Sequence, residues 1–171
     1  MGNHIILIGF MGAGKTTVGK ALAKKMGLEL LDTDSLIEEQ AGVTISEMFE
    51  TQGEAAFRAA ETKMLERLLD RQSRAVISVG GGLPLREENR ALLKKLGTVV
   101  YLQVQPDTVL ARLKGDTSRP LLRGGDAVER VNSLLAYRDP FYKMASHVEV
   151  NTDGKKAGQI AGEIIQKTET L

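Results

Sequence analysis

Cysteine is absent from this chain of 171 residues, which excludes a disulfide framework and any metal site built from thiolates. An excess of one charge is absent as well, since 23 Lys and Arg residues stand against 22 Asp and Glu residues. Proteins that hold a long nucleic-acid backbone usually carry a basic excess or a basic patch. The cations here are scattered among acids, so we expect no nucleic-acid partner.

Long apolar runs are also missing. The run after the first three residues is too short to cross a bilayer, and it lacks the basic flank and cleavage site of a signal peptide. An N-myristoylation signal would need Ser or Thr at the position of Ile6. We expect a cytoplasmic protein without a membrane partner, and a monomer. The length and the 42% of hydrophobic residues are typical of one globular domain.

Short β-rich runs alternate with helical segments along the chain. Near-continuous apolar runs that are separated by helices predict a parallel sheet that is covered on both faces. The runs are residues 4–8, 28–31, 75–79, 99–102 and 148–150. Residues 115–125 are polar and bounded by glycines, and we expect them to be mobile. Four residue pairs have the spacing of N-terminal helix caps, namely Ser35 with Glu38, Thr44 with Glu47, Thr51 with Glu54, and Asp126 with Glu129.

A phosphate-binding loop is the strongest motif of the chain. Residues 9–16 read GFMGAGKT and match the pattern G-x-x-x-x-G-K-[ST], with a predicted strand before them and an amphipathic helix after them. Glycines let backbone N–H groups wrap around phosphate oxygens, and the helix N-terminus favours an anion. Lys15 then neutralises the β- and γ-phosphates, and the Thr16 hydroxyl ligates Mg²⁺. The alternative is a glycine-rich turn with a surface lysine.

Acidic residues distinguish the classes of protein that carry such a loop. A GTPase would carry Asp-x-x-Gly in its switch region and Asn-Lys-x-Asp for guanine recognition, and neither string occurs. The third predicted strand is followed by the glycines of residues 80–82 and not by an acid. Acids follow the second strand instead, which is typical of small-molecule kinases. We assign Asp32 to the Mg²⁺ site and Asp34 to the acceptor hydroxyl, whose proton it takes or orients. The alternative makes Asp34 the N-cap of the helix that begins at Ser35.

Together these motifs resemble those of the shikimate kinase family, in the family's order. The matching strings extend from the first predicted strand to beyond residue 140. They are GFMGAGKT at 9–16, DTD at 32–34, FRAAE at 57–61, GGG at 80–82, RPLL at 119–122 and YRDP at 137–140.

The resemblance implies roles on the acceptor side. Asp34 binds the acceptor hydroxyls as the proposed base, and Arg58 and Arg138 clamp the shikimate carboxylate. An arginine suits this task because its planar fork bonds both carboxylate oxygens. The alternative for Arg58 is a surface ion pair with Glu54 or Glu61. If Arg58 instead binds the acceptor, as the resemblance implies, Glu61 is the partner that orients its guanidinium group. The alternative for Arg138 is a helix-end cation before Pro140. Substrate contacts are also expected from the triplet, where Gly80 offers its N–H and is followed by Gly81 and Gly82.

The resemblance also implies a nucleotide side that binds ATP. Arg119 belongs to a lid at about 113–125 that brings it onto the phosphates, Arg112 stacks on adenine, and Lys155 lies near the adenine. Arg119 and Arg112 have the alternative of a solvated surface position. The remaining ATP contacts fall on the loop and the first helical turn, at Gly12, Ala13, Gly14, Lys15, Thr16 and Thr17.

The fold that the resemblance implies is a single three-layer α/β domain over residues 1–171. Its parallel sheet has five strands in the order 2-3-1-4-5, and a helical substrate-binding region covers about 33–62. The implied reaction transfers the γ-phosphoryl group of ATP to the 3-hydroxyl of shikimate with Mg²⁺, on the route to chorismate and the aromatic amino acids. Two alternatives remain, another small-acid kinase such as a gluconate kinase and a non-catalytic nucleotide-binding regulator.

Overall fold

The computed structural model describes residues 2–114 and 126–171. Its five strands form one parallel sheet in the order β2-β3-β1-β4-β5, as predicted. Strand β1 has the predicted ends, and the ends of the other strands differ from the predicted ones by at most two residues. The strands are β1 (His4–Ile8), β2 (Glu29–Asp32), β3 (Ala75–Ser78), β4 (Gly97–Gln103) and β5 (Val148–Asn151).

Helices cover both faces of this sheet, and every side chain of β1 and β3 is therefore buried. A short 3₁₀ turn, Leu83–Leu85, follows β3. None of the helices within the described ranges is long and apolar enough to span a bilayer. The helices are α1 (Lys15–Met26), α2 (Thr33–Ala41), α3 (Ile45–Gln52), α4 (Glu54–Leu68), α5 (Glu87–Leu96), α6 (Pro106–Leu113), α7 (Ala127–Ala145) and α8 (Ala157–Glu169).

Two of the four predicted helix caps are confirmed. Thr44 and Glu47 form a reciprocal capping box, in which each side chain accepts from the other residue's backbone N–H, at 3.1 and 3.3 Å. Asp126 accepts from the N–H of Glu129 at 3.2 Å. Such caps satisfy N–H groups that have no carbonyl partner within the helix.

The other two caps are wrong, because each helix begins elsewhere. Asp32 caps α2 by accepting from the N–H of Ser35 at 3.1 Å, so Ser35 lies inside the helix. Thr51 lies in the last turn of α3, and Gly53 connects α3 to α4 with a φ of 86°. A left-handed φ costs glycine little, so it makes the short connection that places α4 beside the sheet.

The alternative for Arg138, a position at a helix end before Pro140, is wrong. Helix α7 continues through Pro140 to Ala145. Proline within a helix removes one backbone hydrogen bond and costs about 3 kcal/mol. The turn after it buries Tyr142 and Ala145 completely, and this burial offsets the cost. Arg138 therefore lies inside α7 and not at its end.

Candidate active site

The phosphate loop joins the end of β1 to the start of α1. Gly12 and Gly14 adopt left-handed φ angles of 79° and 87°, which a side chain would resist. Gly14 is the N-cap of α1 and provides no side-chain cap. The N-terminus of this helix, with its uncapped N–H groups and the positive end of its dipole, is suited to bind an anion.

Lys15 lies across this loop. Its Nζ donates to the carbonyl oxygens of Gly9 at 2.7 Å and of Phe10 at 3.2 Å. Thr16 and Thr17 are exposed in the first turn of α1. Three of the residues predicted to hold phosphate or metal, Lys15, Thr16 and Thr17, therefore lie at one helix N-terminus.

Asp34 lies in the first turn of α2 and is not its cap, which settles the alternative that the sequence left open. Its Oδ1 is buried and has no hydrogen-bond partner among the described residues. Burial raises the pKa of this carboxyl, as does the neighbouring charge of Asp32, and Lys15 opposes the shift. A carboxylate with a free buried oxygen and a raised pKa is suited to take a proton.

The glycine triplet after β3 lets these side chains approach the backbone closely. A Cβ built on Gly80 would lie 2.9 Å from Oδ1 of Asp34 and 3.0 Å from Oε2 of Glu61. The two carboxyl groups therefore meet at Gly80. The N–H of Gly80, which we expected to face the substrate, donates to Oγ1 of the buried Thr33 at 3.3 Å. Thr33 is a contact that the motifs did not indicate.

Arg58 reaches the same triplet from α4. A Cβ on Gly82 would lie 2.6 Å from both terminal nitrogens of Arg58. Its Nη1 donates to Oε1 of Glu61 at 2.7 Å, and Nη2 pairs with the exposed Glu54 at 3.5 Å. Arg58 thus forms both of the ion pairs, with Glu54 and with Glu61, that the alternative interpretation of this residue predicted. Glu61, however, is fully buried, so its pair with Arg58 belongs to the site and not to the surface.

Glu61 carries the largest carboxyl pKa shift of the described residues. Burial raises its pKa to about 7, and the charges of Arg58 and Arg138 limit that rise. Its Oε2 has no hydrogen-bond partner among the described residues. Glu61 therefore balances the charge of Arg58 with one oxygen and presents the other toward Asp34.

Arg138 approaches the triplet from α7. A Cβ on Gly81 would lie 3.2 Å from its Nη1. Its guanidinium carbon lies 5.6 Å from the ring centroid of Phe10 in the phosphate loop, within the range of a cation–π contact. One turn later Tyr142 donates its hydroxyl proton to the carbonyl of Gly81 at 2.7 Å. Sequence reasoning missed Phe10 and Tyr142, although the i, i+4 spacing of Tyr142 from Arg138 is visible in the sequence.

The predicted acceptor residues thus converge from three helices on one turn of backbone. One guanidinium group, that of Arg58, lies at Gly82, a second, that of Arg138, lies at Gly81, and the carboxylate of Asp34 lies at Gly80. This arrangement is suited to bind an acid through planar forks with a base beside it. The phosphate loop is adjacent, through the contact of Arg138 with Phe10.

Of the three cations predicted for the nucleotide side, Arg112 contacts the phosphate loop and Lys155 pairs with a residue of α8. Arg112 donates to the carbonyl of Gly12 at 2.7 Å and of Thr152 at 3.3 Å, so it joins the phosphate loop to the segment after β5. Lys155 pairs with Glu163 at 2.8 Å, and this partner holds its charge against α8. Arg119 and most of the predicted lid, residues 115–125, lie outside the described residues.

Comparisons with known proteins agree with this geometry. The family profile described as shikimate kinase matches residues 11–169. A shikimate kinase of Caldicellulosiruptor bescii is 46% identical over 150 residues, which cover 88% of this chain and 86% of that relative. A shikimate kinase of Symbiobacterium thermophilum is 40% identical over 166 residues, which cover 96% of this chain and 95% of the relative.

Solved structures give the same result. A shikimate kinase from Acinetobacter baumannii, solved in complex with shikimate, has a TM-score of 0.92 at 39% identity and covers 99% of this chain and 94% of that one. A gluconokinase from Sinorhizobium meliloti has a TM-score of 0.64 at 18% identity, covering 99% and 93%, which is a likeness of fold alone. The profile match, the identities and the convergence of Asp34, Arg58 and Arg138 lead to one conclusion: the chain belongs to the shikimate kinase family.

Proposed function

We propose that this protein transfers the γ-phosphoryl group of ATP to the 3-hydroxyl of shikimate, giving 3-phosphoshikimate and ADP. The observation that carries the acceptor assignment is the pair of guanidinium groups, Arg58 and Arg138, that meet at Gly82 and Gly81 beside Asp34. A triphosphate and an acid repel each other, so a kinase for an acidic acceptor needs such local cations. A nucleotide regulator without catalysis has no need of these three residues together.

Asp34 is the proposed base. As the bond from the acceptor oxygen to the γ-phosphorus forms and the bond from that phosphorus to the β–γ bridging oxygen breaks, the hydroxyl proton passes to its carboxylate. The transition state of such transfers is loose, so catalysis rests mainly on positioning and charge. The buried Oδ1 of Asp34, with its raised pKa, supports this assignment.

ATP is proposed to bind along the loop and the first turn of α1, at Gly12, Ala13, Gly14, Lys15, Thr16 and Thr17. The contact of Arg112 with the loop carbonyl of Gly12 supports a place for it beside the nucleotide. Lys155 is assigned near the adenine, although its pair with Glu163 draws it toward α8. Arg119 and the lid at about 113–125 are proposed to close over the phosphates, and the region at about 33–62 to hold the acceptor.

Thr16 and Asp32 are proposed as the residues that would hold Mg²⁺ together with the phosphates of the nucleotide. Among the described residues there is no cluster of three or more side chains that could form a complete metal site. The donor set nevertheless fits, since Mg²⁺ is commonly held by one or two protein oxygens together with the phosphates of its nucleotide. One oxygen of Asp32 caps α2, and this bond holds the carboxylate at the end of β2. When bound, the ion neutralises charge that develops on the phosphates.

A coupled assay of ADP release tests the reaction. Shikimate, gluconate and the nucleoside monophosphates are compared as acceptors at equal concentration with ATP and Mg²⁺. Of these acceptors, we expect only shikimate to support turnover. Turnover with gluconate would favour the other small-acid kinase, and nucleotide binding without turnover would favour the regulator.

A size-exclusion run of the same sample tests the proposed monomer, and cell fractionation tests the proposed cytoplasmic location.

A further inference from the structure

A buried amide ties together two parts of the acceptor site that lie outside its motifs. Asn89, on α5, is fully buried. Its Nδ2 donates to the carbonyl oxygen of Leu83 at 2.9 Å, and its Oδ1 accepts from the hydroxyl of Thr62 at 2.8 Å. Helix α5 is thereby bonded both to α4 and to the 3₁₀ turn that follows the glycine triplet.

The direction of these bonds follows from their chemistry. A backbone carbonyl oxygen only accepts, so the amide nitrogen of Asn89 must face Leu83. Its oxygen then faces Thr62, whose hydroxyl gives its one proton to this oxygen at 2.8 Å rather than to the more distant carbonyl oxygen of Arg58 at 3.3 Å. Arg86 donates to the same hydroxyl at 3.2 Å, which fits an oxygen that accepts on its other side. Both ends of the buried amide are thus satisfied, and neither end can be exchanged.

Each end of this bridge lies next to a residue of the acceptor site. Thr62 follows Glu61 on α4 and lies one turn after Arg58. Leu83 follows Gly82, the glycine against which the Arg58 guanidinium lies. The bridge therefore spans the contact between Arg58 and Gly82, one residue or one turn away on either side.

An apolar side chain would fill the space of Asn89 without the desolvation that a buried amide requires. The amide adds direction, because its two bonds hold only one arrangement of α4 against the turn. Arg90, also on α5, donates to the carbonyls of Pro84 at 3.0 Å and Leu85 at 2.9 Å. Those bonds fasten the turn to α5, and Asn89, together with Arg86 at the start of α5, extends the connection to α4.

We propose that Asn89 is a positioning residue, which acts through Thr62 and Leu83 to hold Arg58 against the glycine triplet before the acceptor binds. A guanidinium that is already in place loses less conformational freedom when it meets a carboxylate, so the acceptor binds more tightly. The identity of the acceptor, though not the bridge, rests on the function proposed above.

Thr62→Val tests this proposal, with Thr62→Ser as its matched control. Valine keeps the shape and the β-branch of threonine but leaves the buried oxygen of Asn89 without a donor, whereas serine keeps the donor. Calorimetric titration gives Kd for shikimate and for ADP, and a thermal melt gives Tm. We expect Thr62→Val to weaken shikimate binding about tenfold with ADP binding unchanged, because Arg58 must then be ordered at the moment when the acceptor binds. Thr62→Ser should bind both as the wild type does.

Two outcomes would overturn the proposal. Thr62→Val could bind shikimate as Thr62→Ser does, or it could lose affinity for shikimate and ADP in parallel with a lower Tm, as a purely structural role predicts. A crystal structure of Thr62→Val gives a readout that is independent of the acceptor. We expect the Arg58 guanidinium to move away from Gly82, and an unmoved Arg58 contradicts the proposal. A wild-type protein that binds no shikimate would refute the proposed function, and this crystal structure would still decide on the bridge.

Discussion

Glu61 lies beneath Arg58 on the same helix, with 2.7 Å between Oε1 and Nη1, and no part of the Glu61 side chain reaches solvent. The pair places an acid of raised pKa at the centre of a site that must attract an anion. One oxygen of Glu61 holds Arg58, and the other faces Gly80 and Asp34. The charge of Glu61 therefore controls how much of the positive charge of Arg58 remains for the acceptor.

Glu61→Gln should change how stability depends on pH. The native pKa of about 7 lies above the ordinary value of 4.5, so the folded protein keeps this proton at pH values where the unfolded chain has lost it. The wild type should thus lose stability as pH rises from about 4.5 to 7, by at most about 3.5 kcal/mol at about 1.4 kcal/mol per pKa unit. Glutamine does not titrate, so the variant lacks this decline. Urea unfolding of both proteins at pH 5 and pH 8 measures this decline. If the free energy of unfolding changed by the same amount between the two pH values in both proteins, the raised pKa of Glu61 would be contradicted.

Asp34→Asn should abolish most phosphoryl transfer and leave nucleotide affinity nearly intact. The amide cannot take the hydroxyl proton, and loss of a general base commonly lowers kcat by about 100-fold or more. Steady-state kinetics with shikimate and titration with ADP measure the two effects. Asp70→Asn, an exposed position after α4, is the matched control and should retain full activity. Wild-type turnover in Asp34→Asn would remove this residue from the mechanism.

Arg58→Lys should raise KM for shikimate about tenfold and leave KM for ATP unchanged, because an ammonium group cannot bond both carboxylate oxygens in a planar fork. The pair with Glu61 at 2.7 Å is also lost in that geometry. Arg67→Lys makes the same change at an exposed position of the same helix and should leave both constants unaltered. A parallel rise of both KM values in Arg58→Lys would argue for a general disturbance of the fold.

Gly82→Ala should weaken shikimate binding, because the added methyl group would lie 2.6 Å from both terminal nitrogens of Arg58. Gly82 has a φ of −91°, so its backbone accepts alanine and only the contact with Arg58 opposes it. Gly162→Ala is the control, since nothing lies within 4 Å of its added Cβ. Within helix α8 that change should stabilise the protein by about 0.5–1 kcal/mol. Titration with shikimate and thermal melts measure the two effects, and unaltered binding in Gly82→Ala would refute the close contact.

Local patterns predicted the sheet well, because buried parallel strands leave continuous apolar runs in the sequence. They predicted helix starts less well. Asp32 lies at the end of β2 and also caps α2, so the helix begins before the residue that the spacing of Ser35 and Glu38 indicated. The helix through Pro140 could not be predicted, since burial of Tyr142 in the tertiary structure outweighs a local preference.

The sequence by itself determined the phosphate loop and the family, because those depend on residue types at fixed spacing. It also named Asp34, Arg58 and Arg138, through motifs whose order resembles the family's. Only the tertiary structure decided that Glu61 is buried beside Arg58 and Asp34, that Thr33 and Tyr142 bond to the glycine triplet, and that Asn89 bonds to the turn after it. The reason is physical: burial and hydrogen-bond partners between distant elements arise only when the chain is folded.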